Sequence, residues 1–228
     1  MPSFQVKILQ PHWLSSEILE LSCEKPFDYL PGQYIFIEHQ GQRHPFSIAS
    51  APFESTLRFH MQHSERRPMQ ENVWHLIKQG EMLTLSQPTG DAYLRSDSTR
   101  PLLFIAGGSG FAPIASMINA LANQHSPRII HLYWGAEQHQ FLYDLKRLEQ
   151  WQSELPHFKW TPVLSHDLES ETRHGLVHQA VLEDQLALPD FDIYIAGPFA
   201  LSKTAHADFS KQFGPGLKMY SDALTNTN

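Results

Sequence analysis

The sequence predicts an α+β protein of two domains, an antiparallel six-stranded β-barrel followed by an α/β domain with a five-stranded parallel sheet. Two observations predict it. The spacing of apolar residues changes near residue 100, and an apolar strand then runs directly into a glycine-rich turn at 107–110. Short alternating strands before the change indicate antiparallel pairing, and alternating strands and helices after it indicate a parallel sheet covered by helices. We assign the domains to residues 1–98 and 99–228.

The first domain has six segments with β-type alternation and one helical segment. We expect the strands at 4–10, 18–23, 33–39, 46–50, 56–62 and 82–86, and the helix at 72–79. Turn residues separate them, including Pro31-Gly32 and Gly41, and Gly80 ends the helix. Six short strands with a single helix are typical of a small barrel.

The second domain alternates between strands and helices. We expect strands at 102–106, 129–134, 158–164, 191–195 and 217–220, and helices at 112–123, 140–151, 176–186 and 199–212. Parallel strands end at the same edge of a sheet, and ligands bind at that edge. The loops that follow the strands should therefore line one crevice.

The turn after the first parallel strand has the residues that phosphate binding requires. It reads Gly107-Gly108-Ser109-Gly110-Phe111-Ala112-Pro113. Glycine lets backbone N–H groups approach a phosphate closely, and the following helix presents its positive end. A nucleoside-triphosphatase loop needs a lysine directly after its glycines, and no lysine occurs between Gly107 and Asn123. A nucleophile elbow needs glycine two residues after its serine, where this chain has Phe111. Pro113 replaces the last glycine of a dinucleotide fingerprint, so a plain structural connection remains an alternative to a nucleotide site.

Composition excludes several classes of function. The net charge of −7 argues against binding to nucleic acid or to an anionic membrane. The apolar runs are too short to span a membrane, and the N-terminus has no signal-peptide pattern, so we expect a cytoplasmic protein. Cys23 is the only cysteine, which excludes a thiolate zinc site or a cysteine-held iron-sulfur cluster within one subunit. Any redox chemistry must therefore use an organic cofactor. His174 and His178 lie four residues apart but lack a recognisable third ligand, so we predict no metal.

Four motifs, in order, resemble those of the ferredoxin-NADP reductase superfamily, and especially its stand-alone NAD(P)H-flavin reductases. The motifs are Pro31-Gly32-Gln33-Tyr34, Pro45-Phe46-Ser47-Ile48-Ala49-Ser50, the glycine turn at 107–113, and Ala196-Gly197-Pro198. The resemblance covers nearly the whole chain. It implies a flavin (riboflavin, FMN or FAD) in the barrel domain and NADH or NADPH in the second domain.

The resemblance also implies roles for the second motif. Pro45 and Phe46 would lie beside the flavin ring, and Ser47 would form a hydrogen bond near flavin N5, the atom that accepts the hydride. The arginine that relatives carry three residues before the serine falls on His44, and its neighbour here is Arg43. Histidine offers fewer donors than arginine, so we expect a loosely held flavin, with Arg43 or His44 as the candidate phosphate contact.

The nicotinamide nucleotide is expected at the two glycine turns. Its candidate contacts are Gly107, Gly108, Ser109, Gly110, Phe111, Pro113, Gly197 and Pro198. Glu137 follows the second parallel strand, where a carboxylate accepts from a ribose hydroxyl and repels a 2′-phosphate, which favours NADH. Asp222 lies where relatives often carry an acidic residue near the active site. With Ser47 it is a catalytic candidate, and a solvated carboxylate near a chain end is the alternative.

Three functions follow from these residues. The first is a flavin reductase that releases reduced flavin to a flavin-using enzyme or to ferric iron. The second is a reductase subunit with bound flavin that passes electrons to a separate iron-sulfur or oxygenase protein. The third is a flavin- or nucleotide-binding module without turnover. The expected ligands are small molecules, a flavin and a nicotinamide nucleotide.

Overall fold

The structure, a computed structural model, describes residues 3–9, 11–39, 41–62, 68–80, 82–167 and 172–225. The predicted α+β arrangement of an antiparallel and a parallel region is confirmed, although each sheet region has one strand more than expected. The first region contains β1 (Ser3–Lys7), β2 (His12–Trp13), β3 (Ile18–Glu24), β4 (Tyr34–His39), β5 (Gln42–Ser47), β6 (Thr56–Gln62), α1 (Pro68–Gln79) and β7 (Met82–Ser86).

The first region is a barrel built from two antiparallel sheets. Their strand orders are β1-β7-β4-β5 and β2-β3-β6. Hydrogen bonds from Leu9 N to Ser22 O (2.8 Å) and from Ala49 N to Arg58 O (2.7 Å) join the sheets at two edges. The inward-facing residues of both sheets form one buried apolar cluster, which includes Leu21, Ile35 and Phe59. Closure of the two sheets around this cluster protects the strand edges from further pairing.

Two differences from the expected strands have local causes. β2 has only two residues, too few for alternation to reveal it. β5 begins at Gln42 rather than at 46, although Pro45 lies inside it. β5 is the outer strand of its sheet, where the missing N–H of proline removes no ladder bond. Gln10, the last residue of the expected first strand, lies outside the described residues.

The second region is a parallel sheet with helices on both faces. Its elements are β8 (Leu102–Gly107), α2 (Phe111–Asn123), β9 (Ile130–Ala136), α3 (Leu145–Glu154), β10 (Phe158–Leu164), β11 (Arg173–His174), α4 (Val177–Glu183), β12 (Asp192–Ala196), α5 (Phe199–Phe213), β13 (Lys218–Tyr220) and α6 (Asp222–Thr225). The strand order is β11-β10-β9-β8-β12-β13. The two-residue β11 is the strand that the sequence did not predict.

Left-handed residues shorten two of the expected helices. Asp144 has φ 54°, so the segment expected as one helix from 140 divides into a short 3₁₀ turn and α3. Gln185 has φ 51°, and α4 ends before it at Glu183. A residue with a positive φ cannot continue a right-handed helix, which requires a negative φ. Apolar periodicity cannot reveal such a break, because the apolar residues on either side keep their spacing.

Helix α2 lies between the sheet and the barrel. β8 is buried from Leu102 to Ala106, as expected for a strand covered on both faces. The Ser116 hydroxyl of α2 donates to the carbonyl oxygen of Ser50 in the barrel at 2.5 Å. The helix thus connects the two regions directly. Within the described ranges, no helix is long and apolar enough to cross a membrane.

Candidate active site between the barrel and the parallel sheet

A cavity of about 340 Å³ opens between the barrel and the C-terminal ends of β12 and β13. Small-molecule sites are typically of roughly this size or larger, about 300–1,000 Å³. The barrel lines it with Gly32, Tyr34, Phe36, Pro45 and Ser47, the connection between the regions with Ala92, and the second region with Pro113, Met117, 194–197 and 220–223. Both regions must therefore be present to form the site.

The barrel wall of the cavity is one face of the β4–β5 ladder. Tyr34 pairs with Ser47, and Phe36 pairs with Pro45. Side chains two residues apart on a strand point to the same side, so these four share a face. The rings of Tyr34 and Phe36 lie 5.4 Å apart, edge to face. The sequence placed Pro45 and Ser47 in the site, and both line the cavity.

His44 and Phe46 lie on the other face of β5, inside the barrel. Their exposed fractions are 4% and 5%, and the Phe46 ring packs against Phe59 at 6.4 Å. Neither ring nitrogen of His44 has a hydrogen-bond partner among the described residues. Strand alternation turns both side chains away from the cavity. The contacts of Phe46 with a flavin ring and of His44 with its phosphate stay predictions.

Arg43 shares the face of Pro45 and Ser47. Its guanidinium lies 4.1 Å from the centroid of the Phe36 ring, which lines the cavity. Its Nε is 3.3 Å from Oε1 of Glu38, the residue opposite it on β4. A cation therefore stands at the rim of the cavity beside one of its aromatic walls.

The glycines of the second region serve two different purposes. A Cβ on Gly110 would lie 2.3 Å from the carbonyl oxygen of Ala196, and one on Gly197 would lie 2.8 Å from the carbonyl oxygen of Gly107. These glycines allow the loops after β8 and β12 to touch. Gly108 has φ 52° and open space where its Cβ would be, so its backbone conformation, rather than close packing, favours glycine there. Ser109 follows Gly108 in the same short 3₁₀ turn.

Phe111 is a core residue and makes no part of the cavity wall. It is fully buried and stacks on Trp134 with ring centroids 4.0 Å apart. His60 of the barrel stacks on it at 6.4 Å. Trp134 in turn donates from Nε1 to the carbonyl oxygen of Gly108 at 3.0 Å. The Phe111 side chain thus packs beneath the glycine turn through Trp134, and its contact with a ligand stays a prediction.

Asp222 begins α6 and joins it to the connection between the regions. Its Oδ1 accepts backbone N–H groups of Asp91 at 2.7 Å and Ala92 at 3.1 Å. Burial raises the pKa of this carboxyl group above its usual value, and the two N–H donors act in the opposite direction. A Cβ on Gly90 would lie 2.7 Å from Asp222 Oδ2. Glycine at 90 therefore makes room for the carboxylate at the edge of the cavity.

Comparison with known proteins agrees with this geometry. Residues 3–90 match the model of an FAD-binding domain, and residues 104–207 match the model of an oxidoreductase NAD-binding domain. The chain is 35% identical to a probable flavin reductase of Photobacterium leiognathi, over 90% of each chain. It is 31% identical to the NAD(P)H-flavin reductase of Vibrio harveyi, over 96% of each. The chain belongs to the NAD(P)H-flavin reductase family.

Relatives of this reductase also include larger proteins. A CDP-6-deoxy-L-threo-D-glycero-4-hexulose-3-dehydrase reductase of Yersinia pestis is 33% identical over 97% of this chain and 69% of its own length. The cytochrome P450 reductase GcoB of Amycolatopsis has the same fold, with a TM-score of 0.87, 22% identity, and coverage of 97% of this chain and 69% of that one. The reductase is thus an oxidoreductase with a flavin-binding barrel and a nicotinamide-nucleotide-binding sheet.

Four aromatic residues that line the cavity were given no role from the sequence, although one of them, Tyr34, stands in the first motif. They are Tyr34, Phe36, Tyr194 and Tyr220. Tyr34 and Phe36 alternate with the buried Ile35 and Ile37, which is a signal for one outward aromatic face. The rings of Tyr194 and Tyr220 stack across neighbouring strands with centroids 4.9 Å apart. Because the two residues are far apart in sequence, the sequence alone does not predict this contact.

The two histidines that the sequence analysis weighed as metal ligands and set aside lie on different elements. His178 lies on α4 with Nε2 3.1 Å from an Asp208 carboxylate oxygen, whereas His174 lies on β11. Over the residues that the structure describes, three or more histidine, cysteine or acidic side chains nowhere gather in a way that could hold a metal ion.

Proposed function

We propose that this reductase transfers a hydride from NADH to a loosely held or free flavin in the cavity between its two regions. The composition of the cavity walls carries the proposal. The barrel supplies aromatic side chains, Tyr34 and Phe36, and a hydroxyl, Ser47, while the opposite wall includes the turn at Gly197. A flat heterocycle with polar edges suits these walls, since rings pack on its faces and polar groups bond its edge.

Each side of the cavity has a separate task. When bound, the flavin supplies the chemistry by accepting a hydride from the nicotinamide. Pro45 and the aromatic wall exclude water from one face of the flavin ring, and the Ser47 hydroxyl hydrogen-bonds to the edge of that ring. The remaining task of the protein is to hold the two ring systems at about 3–3.5 Å, the separation at which proximity lowers a barrier most.

Three loops on one sheet edge support binding of an extended dinucleotide. They follow β12, β8 and β9, which are neighbours in that order. We assign the nicotinamide end to Gly197 and Pro198, the diphosphate to the turn at 107–110, and the adenosine ribose to Glu137. Glu137 is exposed at the end of β9, and its carboxylate would repel a 2′-phosphate, so NADH is favoured over NADPH.

The surroundings of His44 support loose retention of the flavin. His44 is buried in the barrel core and offers no donor to the cavity side of β5. A side chain on the wrong face cannot bond a phosphate, which leaves a flavin with fewer charged contacts than an arginine at that position would give.

Asp222 acts as a positioning residue in this proposal. Its hydrogen bonds to Asp91 and Ala92 hold the C-terminal segment, which includes the cavity residue Tyr220, against the connection that leaves the barrel. The carboxylate thereby contributes to the separation of the two walls. Its contribution to turnover is indirect, through the shape of the cavity.

A second candidate function is electron delivery to a separate protein. The relatives named as a dehydrase reductase and as a cytochrome P450 reductase favour it, because their names describe reductase partners of other enzymes. This candidate uses the same hydride step and differs in where the electrons go. The partner would be an iron-sulfur or oxygenase protein, in place of released reduced flavin.

The first experiment follows NADH and NADPH oxidation by the purified protein, with and without riboflavin, FMN or FAD. A colourless preparation whose turnover saturates with added flavin would support the proposed function. A yellow preparation that turns over only with a protein or artificial acceptor would support the second candidate. No hydride transfer under any combination would overturn both and leave a binding module.

Ser47→Ala tests the assignment of the hydroxyl. Loss of one hydrogen bond to the reacting ring should slow flavin reduction by about tenfold while the KM for NADH changes little. Single-turnover absorbance of the flavin measures this rate. Ser153→Ala, at an exposed position of α3, is the matched control and should keep the wild-type rate. An unchanged reduction rate in Ser47→Ala would show that another group bonds the ring.

A further inference from the structure

The β4–β5 ladder continues past the cavity by one more pair of side chains. Three cross-strand pairs follow one another on this face, in the order Tyr34 with Ser47, Phe36 with Pro45, and Glu38 with Arg43. The first two pairs line the cavity, and the third lies beyond it. At about 3.4 Å per residue, each pair is about 7 Å from the next. A tail that leaves the cavity along the ladder therefore meets Glu38 and Arg43 first.

The two ends of this ladder differ in exposure. At the end with Tyr34, a Cβ on Gly90 would already lie 3.0 Å from the tyrosine ring and 2.7 Å from Asp222 Oδ2. At the other end, the side chains of Arg43 and Glu38 are 47% and 40% exposed. The Glu38–Arg43 end of the ladder is thus open to solvent, and a polar tail that follows the ladder out of the cavity passes this pair.

The Glu38–Arg43 pair can exchange partners at low cost. Its closest atoms are 3.3 Å apart, and half-exposed ion pairs contribute little to stability because water screens them. A phosphate offers the guanidinium two parallel charge-assisted hydrogen bonds, which are stronger. Stacking on Phe36 at 4.1 Å keeps the guanidinium beside the cavity wall. A phosphorylated tail can therefore displace the Glu38 carboxylate from Arg43, whereas an uncharged tail leaves the pair intact.

We propose that the Glu38–Arg43 pair sets the preference of this reductase between riboflavin and flavins that carry a 5′-phosphate. Arg43 binds the phosphate, and Glu38 opposes it by repulsion and by competing for the guanidinium. This inference rests on the proposed function, since it takes the flavin ring to occupy the cavity. It also gives the two neighbouring basic residues of β5 different roles, because His44 faces the barrel core whereas Arg43 would face the ligand.

Riboflavin and FMN differ only by the phosphate, so the ratio of their dissociation constants isolates its contribution. We would titrate the protein into each flavin and measure the quenching of flavin fluorescence, at low and high salt. The variants are Arg43→Ala, Arg43→Lys and Glu38→Gln. Lys211→Ala is the matched control, because it removes one exposed positive charge at the end of α5, on the opposite edge of the sheet.

Arg43→Ala should weaken FMN binding relative to riboflavin binding by about tenfold, and Arg43→Lys by less, since lysine keeps the charge without the planar fork. Glu38→Gln should shift the ratio the other way, by about threefold, and high salt should weaken FMN more than riboflavin. Lys211→Ala should keep the wild-type ratio. A ratio that stays unchanged in both Arg43→Ala and Glu38→Gln overturns this inference alone. Failure of the wild-type protein to bind either flavin overturns the proposed function with it.

Discussion

The two regions build their proposed ligand surfaces from different parts of the chain. In the parallel sheet, the proposed surface is the backbone of two turns, at Gly107–Gly110 and at Gly197, and the loops approach so closely that a Cβ on Gly110 would lie 2.3 Å from Ala196 O. In the barrel, the surface is one face of a strand pair, whose neighbouring residues point to opposite sides. A binding surface made of backbone can be predicted from the sequence, because it requires glycine. A surface made of side chains can be predicted only once it is known which face of the strand each side chain occupies.

The largest expected effect concerns the backbone surface. Gly110→Ala would force the loops after β8 and β12 apart and should lower the free energy of unfolding by about 3 kcal/mol or more, since backbone cannot yield as a side chain does. In Gly108→Ala the new Cβ meets no other atom, so the free energy of unfolding should fall by only about 1 kcal/mol, because alanine disfavours the positive φ at this position. Urea denaturation measures both. Equal losses in the two variants would contradict the division of these glycines into packing and ligand-facing positions.

A second prediction concerns the contact that joins the regions. Asp222→Ala should weaken flavin binding and slow flavin reduction by about tenfold, because two backbone N–H groups lose a charged acceptor. Asp222→Asn keeps an acceptor oxygen and should stay within about threefold of wild type. Stopped-flow reduction across the acidic pH range measures these rates.

The asparagine variant also decides between two roles for Asp222. A positioning residue is rescued by Asn, with the pH profile of reduction unaltered. If Asp222 instead delivered a proton to the flavin, the Asn variant would be as slow as the Ala variant and would lose one limb of the pH profile.

A smaller effect is expected at Glu137, at the far end of the proposed nucleotide site. Glu137→Arg replaces a repelling carboxylate by a phosphate-binding group and should improve kcat/KM for NADPH relative to NADH by about fivefold. Glu149→Arg makes the same charge change at an exposed position of α3 and serves as the control. Equal responses of the two variants would show a general charge effect and would place the ribose elsewhere.

The smallest expected effect tests the barrel core. Burial raises the pKa of the Cys23 thiol to about 12, so almost no thiolate exists at neutral pH. Iodoacetamide should leave the folded protein unmodified and react rapidly in urea, as measured by mass spectrometry. Modification of the folded protein with retained activity would show that the barrel opens readily, unlike the close-packed sheet.

Much of the fold could be predicted from residue order. The change in apolar spacing near residue 100 separated the barrel from the parallel sheet, and the elements that periodicity missed were short, such as β2 and β11. Helix ends were less predictable. Asp144 interrupts an expected helix with a left-handed φ, which aspartate adopts more readily than most residues but which apolar spacing does not reveal.

The candidate site divides in the same way. The sequence alone determined the family, the two kinds of ligand and the position of the glycine turns, because glycine is required wherever backbones touch or phosphates approach. Tertiary structure decided which side chains face the cavity. Only the register of β4 and β5 shows that Arg43 shares a face with Ser47 while His44 and Phe46 fill the barrel, since a shift of one residue reverses every side chain of a strand.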